Sequence, residues 1–436
     1  MLIEFAFGNF RSFKDLTTLS MVAARISSKY DELDTENVQF IDTKLSLLKS
    51  KAIYGQNASG KSNIVKALVT FLRIVRHSVI SEEVISKLVE PFKLNKEGIK
   101  EPTFFQIIFR TATDATIYRY GFEIQDSKVL SEWLFAKTGR EEVPYFTREG
   151  MVVEVKNRFK EAKKFEKLSL NNDSEIFRNN SLFLTSVAAM GGIFAKIVIN
   201  AIGNITVTSG LNDTRIKEVL KEMLENKATK DAILNLVRAA DFDIENIGPR
   251  PSKSEEVTSD EDIPDELTAI FETGKLKKMP SFMTQRTIFD TNGAKIDSIT
   301  PDFEEWESEG TKKFLFLSPF LLNTLNTGNT LVIDEFDARL HPNLTKKIVQ
   351  IFNSIRTNPK GAQLIFVTHD SNLLNANVLR RDQICFVDKD KLGVSSLRTL
   401  VEFKGVRNDA SFEKAYLNGE YGAVPFLNRF EQIFEN

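Results

Sequence analysis

Cysteine is almost missing from this chain: Cys385, in the apolar run "QICFVD", is the only one. No disulfide can close within the chain, which fits a reducing cytoplasm, and Cys385 reads as a buried strand residue. Long apolar runs are missing too. None approaches the roughly 18 residues of a membrane span. The opening "MLIEFAFGNFRSF" lacks the basic region and long apolar core of a signal peptide. The expectation is a soluble, cytoplasmic chain with no membrane contact. A dominant charge is also absent. The net value of −2 announces no global basic field, although 58 Lys and Arg leave room for a local patch.

What is present is ordinary in bulk. With 436 residues there is chain for two or three domains of roughly 100–200 residues each. The balance of 42% hydrophobic and 27% charged residues is that of a globular protein. Thirty-five Phe predict a Phe-rich core.

Patterning divides the chain in three. Leu2, Ile3, Phe5 and Phe7 alternate as a first strand, with "GNFRSF" as a turn. The run "SLLKSKAIY" ends in a short buried strand, and Ile64, Leu68, Phe71, Leu72 and Val75 then recur at helical spacing. Residues 90–160 read as an antiparallel meander of "TFFQIIFRT", "TIYRYGFEIQ", "KVLSEWLFAK" and "MVVEVKN". The texture turns helical from about 174 to 247, without sustained heptads. A Pro-, Ser- and acid-rich linker follows near 249–265. The expected organisation is 1–165 as the first half of a split nucleotide domain, 166–300 as a mainly helical insert, and 301–436 as the second half. In that second half "TLVIDEF" and "QLIFVTH" are buried strands flanking a helix, which predicts a parallel α/β sheet.

Three stretches carry chemistry. Gly55-Gln56-Asn57-Ala58-Ser59-Gly60-Lys61-Ser62 fits the P-loop pattern at every fixed position. Gly55 and Gly60 allow a tight wrap of inward N–H groups, and the following helix offers its positive end to the anion. Lys61 reaches the β- and γ-phosphates, the Ser62 hydroxyl sits on Mg²⁺, and Asn63 completes the loop. In "TLVIDEFDARLHP" a strand ends in Asp334, placed to hold Mg²⁺ through water, and in Glu335, a candidate base for the attacking water; a solvated strand-end Glu is the alternative. In "QLIFVTHD" another strand ends in His369, one of three His in the chain, where a γ-phosphate sensor would stand; a His packed near a strand end is the alternative.

In this order the three stretches resemble the ATPase heads of the ABC class, and among them the SMC, RecF and OLD-type proteins. The resemblance implies an α/β P-loop NTPase of ABC-ATPase type, with a mixed sheet, an antiparallel β subdomain and a helical insert. It also implies a signature segment that binds the γ-phosphate held by a second subunit. "SEGTKKF" supplies the candidate, with Ser308 and Gly310 as contacts, although Thr311 stands where a second Gly is common. An ordinary capped helix start accounts for the same residues. Asp337 to Pro342 would be the D-loop, with His341 in place of the usual acid. Gln106 lies where a Q-loop glutamine is expected, but in a strand-like run.

"FAFGNFRSFKD", "GQNASGKSN" and "FEKAYLNGEYGAVPFL" together are similar to bacterial RloA/AbiL-type ATP-binding proteins of anti-phage, abortive-infection systems. That likeness implies a homodimer or higher oligomer sandwiching ATP and Mg²⁺, and a nuclease or toxin effector encoded nearby. The alternatives are a RecF- or SMC-like repair ATPase acting on DNA, or a slowly hydrolysing ATP-bound scaffold. "AYLNGEYGAVP" reads equally as a docking loop or a packed turn.

Overall fold

The computed structural model describes residues 1–111, 116–139, 141–170, 178–210, 214–250 and 280–424. The strand Ser50–Gly55 is buried at every position, and it lies inside a six-stranded sheet. The order across that sheet is Ile205–Thr208, Thr330–Ile333, Gln363–Val367, Ser50–Gly55, Ile384–Lys389 and Ser395–Thr399. The first five run parallel and the last is antiparallel, so the sheet is mixed. Parallel strands need cover on both faces, and alternation along the central strand supplies it. Ile53 enters one apolar cluster, while Ala52 and Tyr54 enter the other.

The first cluster is where much of the phenylalanine goes. Helix Lys61–His77 lies between the six-stranded sheet and a second, seven-stranded antiparallel sheet. Phe71 stacks on Phe122 at 5.4 Å and meets Phe5 edge-on at 5.7 Å. Offset and edge-to-face pairs of this kind add to what burial alone contributes. Gln363, itself buried, fastens the two sheets: its Oε1 accepts from Leu2 N at 2.7 Å and from Thr330 Oγ1 at 2.9 Å.

The antiparallel sheet contains the expected meander and one strand more. Glu141–Glu149 pairs with Lys128–Thr138 on one side and Val152–Val155 on the other. Pro144 and the flanking charges hide it in the sequence. Pro144 sits opposite Phe135, where the register shifts, a place where a missing N–H is tolerated. Between these strands Glu132 and Arg148 form a fully buried ion pair at 3.3 Å. Glu132 also accepts from Phe183 N at 2.6 Å, Leu184 N at 3.0 Å and Tyr120 Oη at 2.9 Å. The pair thereby anchors the first turn of helix Phe183–Ala189 to the sheet.

The described residues of 166–300 include side chains that enter both apolar clusters. Helices Phe183–Ala189 and Ile193–Gly203 contribute Val187, Ala195 and Val198 to the first cluster. Leu220 of helix Thr214–Glu225 and Ile233 of helix Lys227–Ala239 enter the second cluster, beside helix Glu309–Thr327. Ile205–Thr208 pairs with Thr330–Ile333 and closes one edge of the core sheet. The short run "ITVT" lies within a helical texture in the sequence; its strand is set by the neighbour it pairs with rather than by local pattern. Most of the acidic linker lies outside the described residues. The loop "AYLNGEYGAV" is a packed turn, with Tyr416 and Tyr421 stacked on Phe386 at 5.5 and 5.0 Å. Cys385 is buried in its strand.

Candidate nucleotide site

The strand Ser50–Gly55 delivers the chain into the loop 55–60, and helix Lys61–His77 leaves it. Gly60 has φ +113°, and a β-carbon there would lie 2.5 Å from Ser395 Oγ. A β-carbon on Gly55 would lie 2.6 Å from both Val387 O and Ser59 Oγ. Only glycine meets both demands, which is the physical content of the two fixed glycines. Asn57 and Ala58 are exposed at the tip, Gln56 is partly buried, and Ser59 is buried.

The loop fits a triphosphate in two ways visible in its own contacts. Ser59 Oγ is buried and has no hydrogen-bond partner among the described residues, a costly arrangement that a ligand oxygen would relieve. Lys61 Nζ folds back on Gly55 O at 2.8 Å and Gln56 O at 2.9 Å. Burial lowers its pKa, against the pull of Asp334, Asp337 and Glu335. The structure also brings the second stretch to the first: Ser62 Oγ donates to Asp334 Oδ1 at 3.3 Å, across 272 residues of chain. A hydroxyl and a carboxylate, both hard oxygen donors, suit Mg²⁺.

Glu335 is exposed beside Asp334 and has a left-handed backbone, φ +50°. Its N–H donates to Asp334 Oδ1 at 3.1 Å. His369 stands at the end of the adjacent strand, and its backbone N–H donates to Asp337 Oδ1 at 3.0 Å. Desolvation, then the Lys61 charge, lowers the His369 pKa, so its imidazole is neutral at pH 7. Lys61, Ser62, Asp334, Glu335 and His369 therefore share one electrostatic neighbourhood.

Ser308 and Gly310 are held elsewhere. Ser308 caps helix Glu309–Thr327, its Oγ accepting from Thr311 N at 3.1 Å. Gly310 lies so close to the turn after Asp337 that a β-carbon would come within 2.6 Å of Arg339 O. Glu309 pairs with Arg339 across the same contact. Among the described residues no hydrogen bond or ion pair joins 308–312 to the loop 55–63 of the same chain. His341 caps helix Pro342–Asn353 through Nδ1, and Gln106 accepts from Trp133 Nε1 within the antiparallel sheet.

Two supports of the site carry no motif. Ser12 and Ser395 share a hydrogen bond at 2.8 Å, Ser395 Oγ donates to Ser59 O at 2.5 Å, and Asn63 Nδ2 donates to Ser12 Oγ at 2.8 Å. The outer flank of the P-loop is thus clamped by residues 383 positions apart. The other is Lys313, buried on the helix that Ser308 opens, whose Nζ donates to Glu335 O. Burial lowers its pKa to about 8. A charged residue inside an otherwise apolar helix face was the one available signal.

Among the described residues no single helix is long and apolar enough to cross a membrane. No curated protein matches the chain. Solved structures similar to it include the SMC head domain from Thermotoga maritima, 11% identical, with TM-score 0.38 over 91% of this chain and 98% of that one. Another is the SmcHead bound to the C-winged helix domain of ScpA, 15% identical, with TM-score 0.40 over 95% of this chain and 99% of that one. A family described as "AAA domain, putative AbiEii toxin, Type IV TA system" matches residues 52–183 and 211–375, well over half of the chain. The matched span holds the P-loop, the Ser62–Asp334 contact and the strand ending in His369, and the chain belongs to this family as an AAA-family ATPase.

Proposed function

We propose that this ATPase closes as a homodimer around ATP and Mg²⁺, each P-loop facing the Ser308 segment of the second copy. The closed state controls a nuclease or toxin partner in anti-phage defence. The observation that carries the reading is the half-site. Lys61, Ser62, Asp334 and the exposed Glu335 converge on one chain, while Ser308 caps its own helix, Glu309 pairs with Arg339, and among the described residues neither is bonded to the phosphate loop. The family description, with its toxin and toxin–antitoxin terms, supports the defence setting.

In this reading the loop amides and Lys61, released from the carbonyls of Gly55 and Gln56, hold the phosphates. Ser62 and Asp334 would hold Mg²⁺, which supplies charge neutralisation at the phosphates. Glu335 orients the attacking water and takes its proton as oxygen bonds to the γ-phosphorus and ADP departs with the bridging oxygen. Neutral His369 hydrogen-bonds the γ-phosphate, and Ser308 with Gly310 of the second copy closes the far side.

Phosphate release and light scattering with Glu335→Gln test this. Turnover is expected to fall about a hundredfold or more, while ATP still binds and dimers accumulate. An unchanged rate removes Glu335 from the chemistry, and a monomer in every nucleotide state removes the sandwich. Co-purification with the products of flanking genes, with and without ATP, tests the partner. Retention of DNA alone, weakening steeply with salt, would favour the repair-type alternative.

A further inference from the structure

Helix Glu309–Thr327 turns a cation inward. Lys313 is 2% exposed, among Phe314, Leu315, Phe316 and Leu317, which are buried as deeply. Its ammonium donates to the main-chain oxygen of Glu335 at 2.5 Å, 22 residues away. Among the described residues it forms no ion pair; Asp337, Glu335 and Asp334 act on it at longer range, and Arg339 opposes them. A buried ammonium matched by one carbonyl is an expensive way to fill space, since Met or Leu packs there without desolvating a charge.

The acceptor explains the expense. Glu335 occupies the left-handed region, φ +50°, which residues with a β-carbon enter at a cost and keep only where their surroundings hold them. Several contacts hold this turn. Glu335 N donates to Asp334 Oδ1, Ala338 N donates to Glu335 O at 3.2 Å, and Phe336 N donates to Val367 O at 2.9 Å. Lys313 adds the charge-assisted contact, and it comes from the helix whose first turn is the signature segment.

We infer that Lys313 is a positioning residue: by gripping the Glu335 carbonyl it fixes the left-handed turn that aims the Glu335 carboxylate at the attacking water. It thereby ties the signature helix to the base of the same chain. The inference rests on the reading of Glu335 as that base.

Steady-state hydrolysis and ATP binding of full-length Lys313→Met, Glu335→Gln and the double variant test it. Lys313→Met is expected to lose at least tenfold in kcat, with KM and the Kd for ATP within twofold of wild type. The double variant is expected to be no slower than Glu335→Gln, because Lys313 acts through that side chain. A merely structural role would weaken ATP binding and slow the double variant further, and either result overturns the inference. So does a Lys313→Met kcat within twofold of wild type while Glu335→Gln is slow. A wild-type rate in Glu335→Gln instead overturns the reading beneath. Should Lys313→Met fail to fold, Lys313→Gln, which keeps a donor, carries the test. A kcat lowered threefold or more at unchanged Kd supports the inference, and a kcat within twofold overturns it.

Discussion

The ion pair Glu132–Arg148 and the lysines of the candidate nucleotide site are all charges taken out of water, and they are matched differently. In the antiparallel sheet Glu132 accepts from two backbone amides and a tyrosine hydroxyl, and Arg148 donates to Ser181 O at 2.6 Å and Gly150 O at 2.7 Å. In the candidate nucleotide site Lys61 is turned onto its own loop, Ser59 Oγ has no partner among the described residues, Lys313 holds a single carbonyl, and Glu335 is strained. The first region is finished by folding. The second leaves the buried Ser59 hydroxyl unmatched among the described residues, the form a polar group takes where a ligand is to complete it.

That contrast can be broken from the structural side with the largest effect. Glu132→Ala strands a buried guanidinium and two amides, and about 3–5 kcal/mol of stability should be lost. Urea unfolding measures it, and a loss under 1 kcal/mol would mean the pair is not the anchor described here. ATP affinity of the surviving folded fraction should not change.

A smaller effect tests the half-site through pH. The Lys313 pKa falls from 10.5 in the unfolded chain to about 8 in the folded one. Between those values the unfolded state binds the extra proton, so stability rises with pH through this group by about 1 kcal/mol per unit. The benefit is complete above the unfolded pKa and is lost as pH falls through about 8. Asp337, Glu335 and Asp334 attract the ammonium, and Arg339 opposes them. Melting curves of nucleotide-free protein should show wild type gaining on Lys313→Met between pH 7.5 and 9.5. A constant gap would place the ammonium in water.

The smallest effect sharpens the comparison. Ser59→Ala removes a buried hydroxyl that folding leaves unmatched. Nucleotide-free stability should stay level or rise by up to about 1 kcal/mol. ATP affinity should fall about fivefold, the worth of one hydrogen bond. Calorimetry reads the affinity, and equal affinity would show that Ser59 Oγ meets no phosphate.

Legibility in the sequence followed locality. The strand, glycine-rich loop and helix from Ser50 to His77 stand in consecutive residues, so spacing reveals them. The strand Glu141–Glu149 does not, because Pro144 and charges disguise an element that its neighbours stabilise. Ile205–Thr208 was hidden for a like reason, its four residues gaining strand character from Thr330–Ile333. Ser12 and Ser395 carry no pattern at all, and Lys313 shows only as a charge in an apolar helix face, since each acts on a residue remote in sequence.

By itself the sequence determined the phosphate-loop conformation at Gly55 and Gly60, the alternation that buries Ile53 and Tyr54 on opposite faces, and the helical face of Ile64, Leu68 and Phe71. Those depend on steric limits and periodicity within a few residues. Only the tertiary structure decided that Ser62 meets Asp334, that Ser12 clamps the loop, and that helix Glu309–Thr327 holds Glu335 by its carbonyl. Such contacts arise where separately formed strands and helices bury their apolar faces together. A side chain's partner is then set by packing and by the need to satisfy each buried polar group, which no local stretch of sequence encodes.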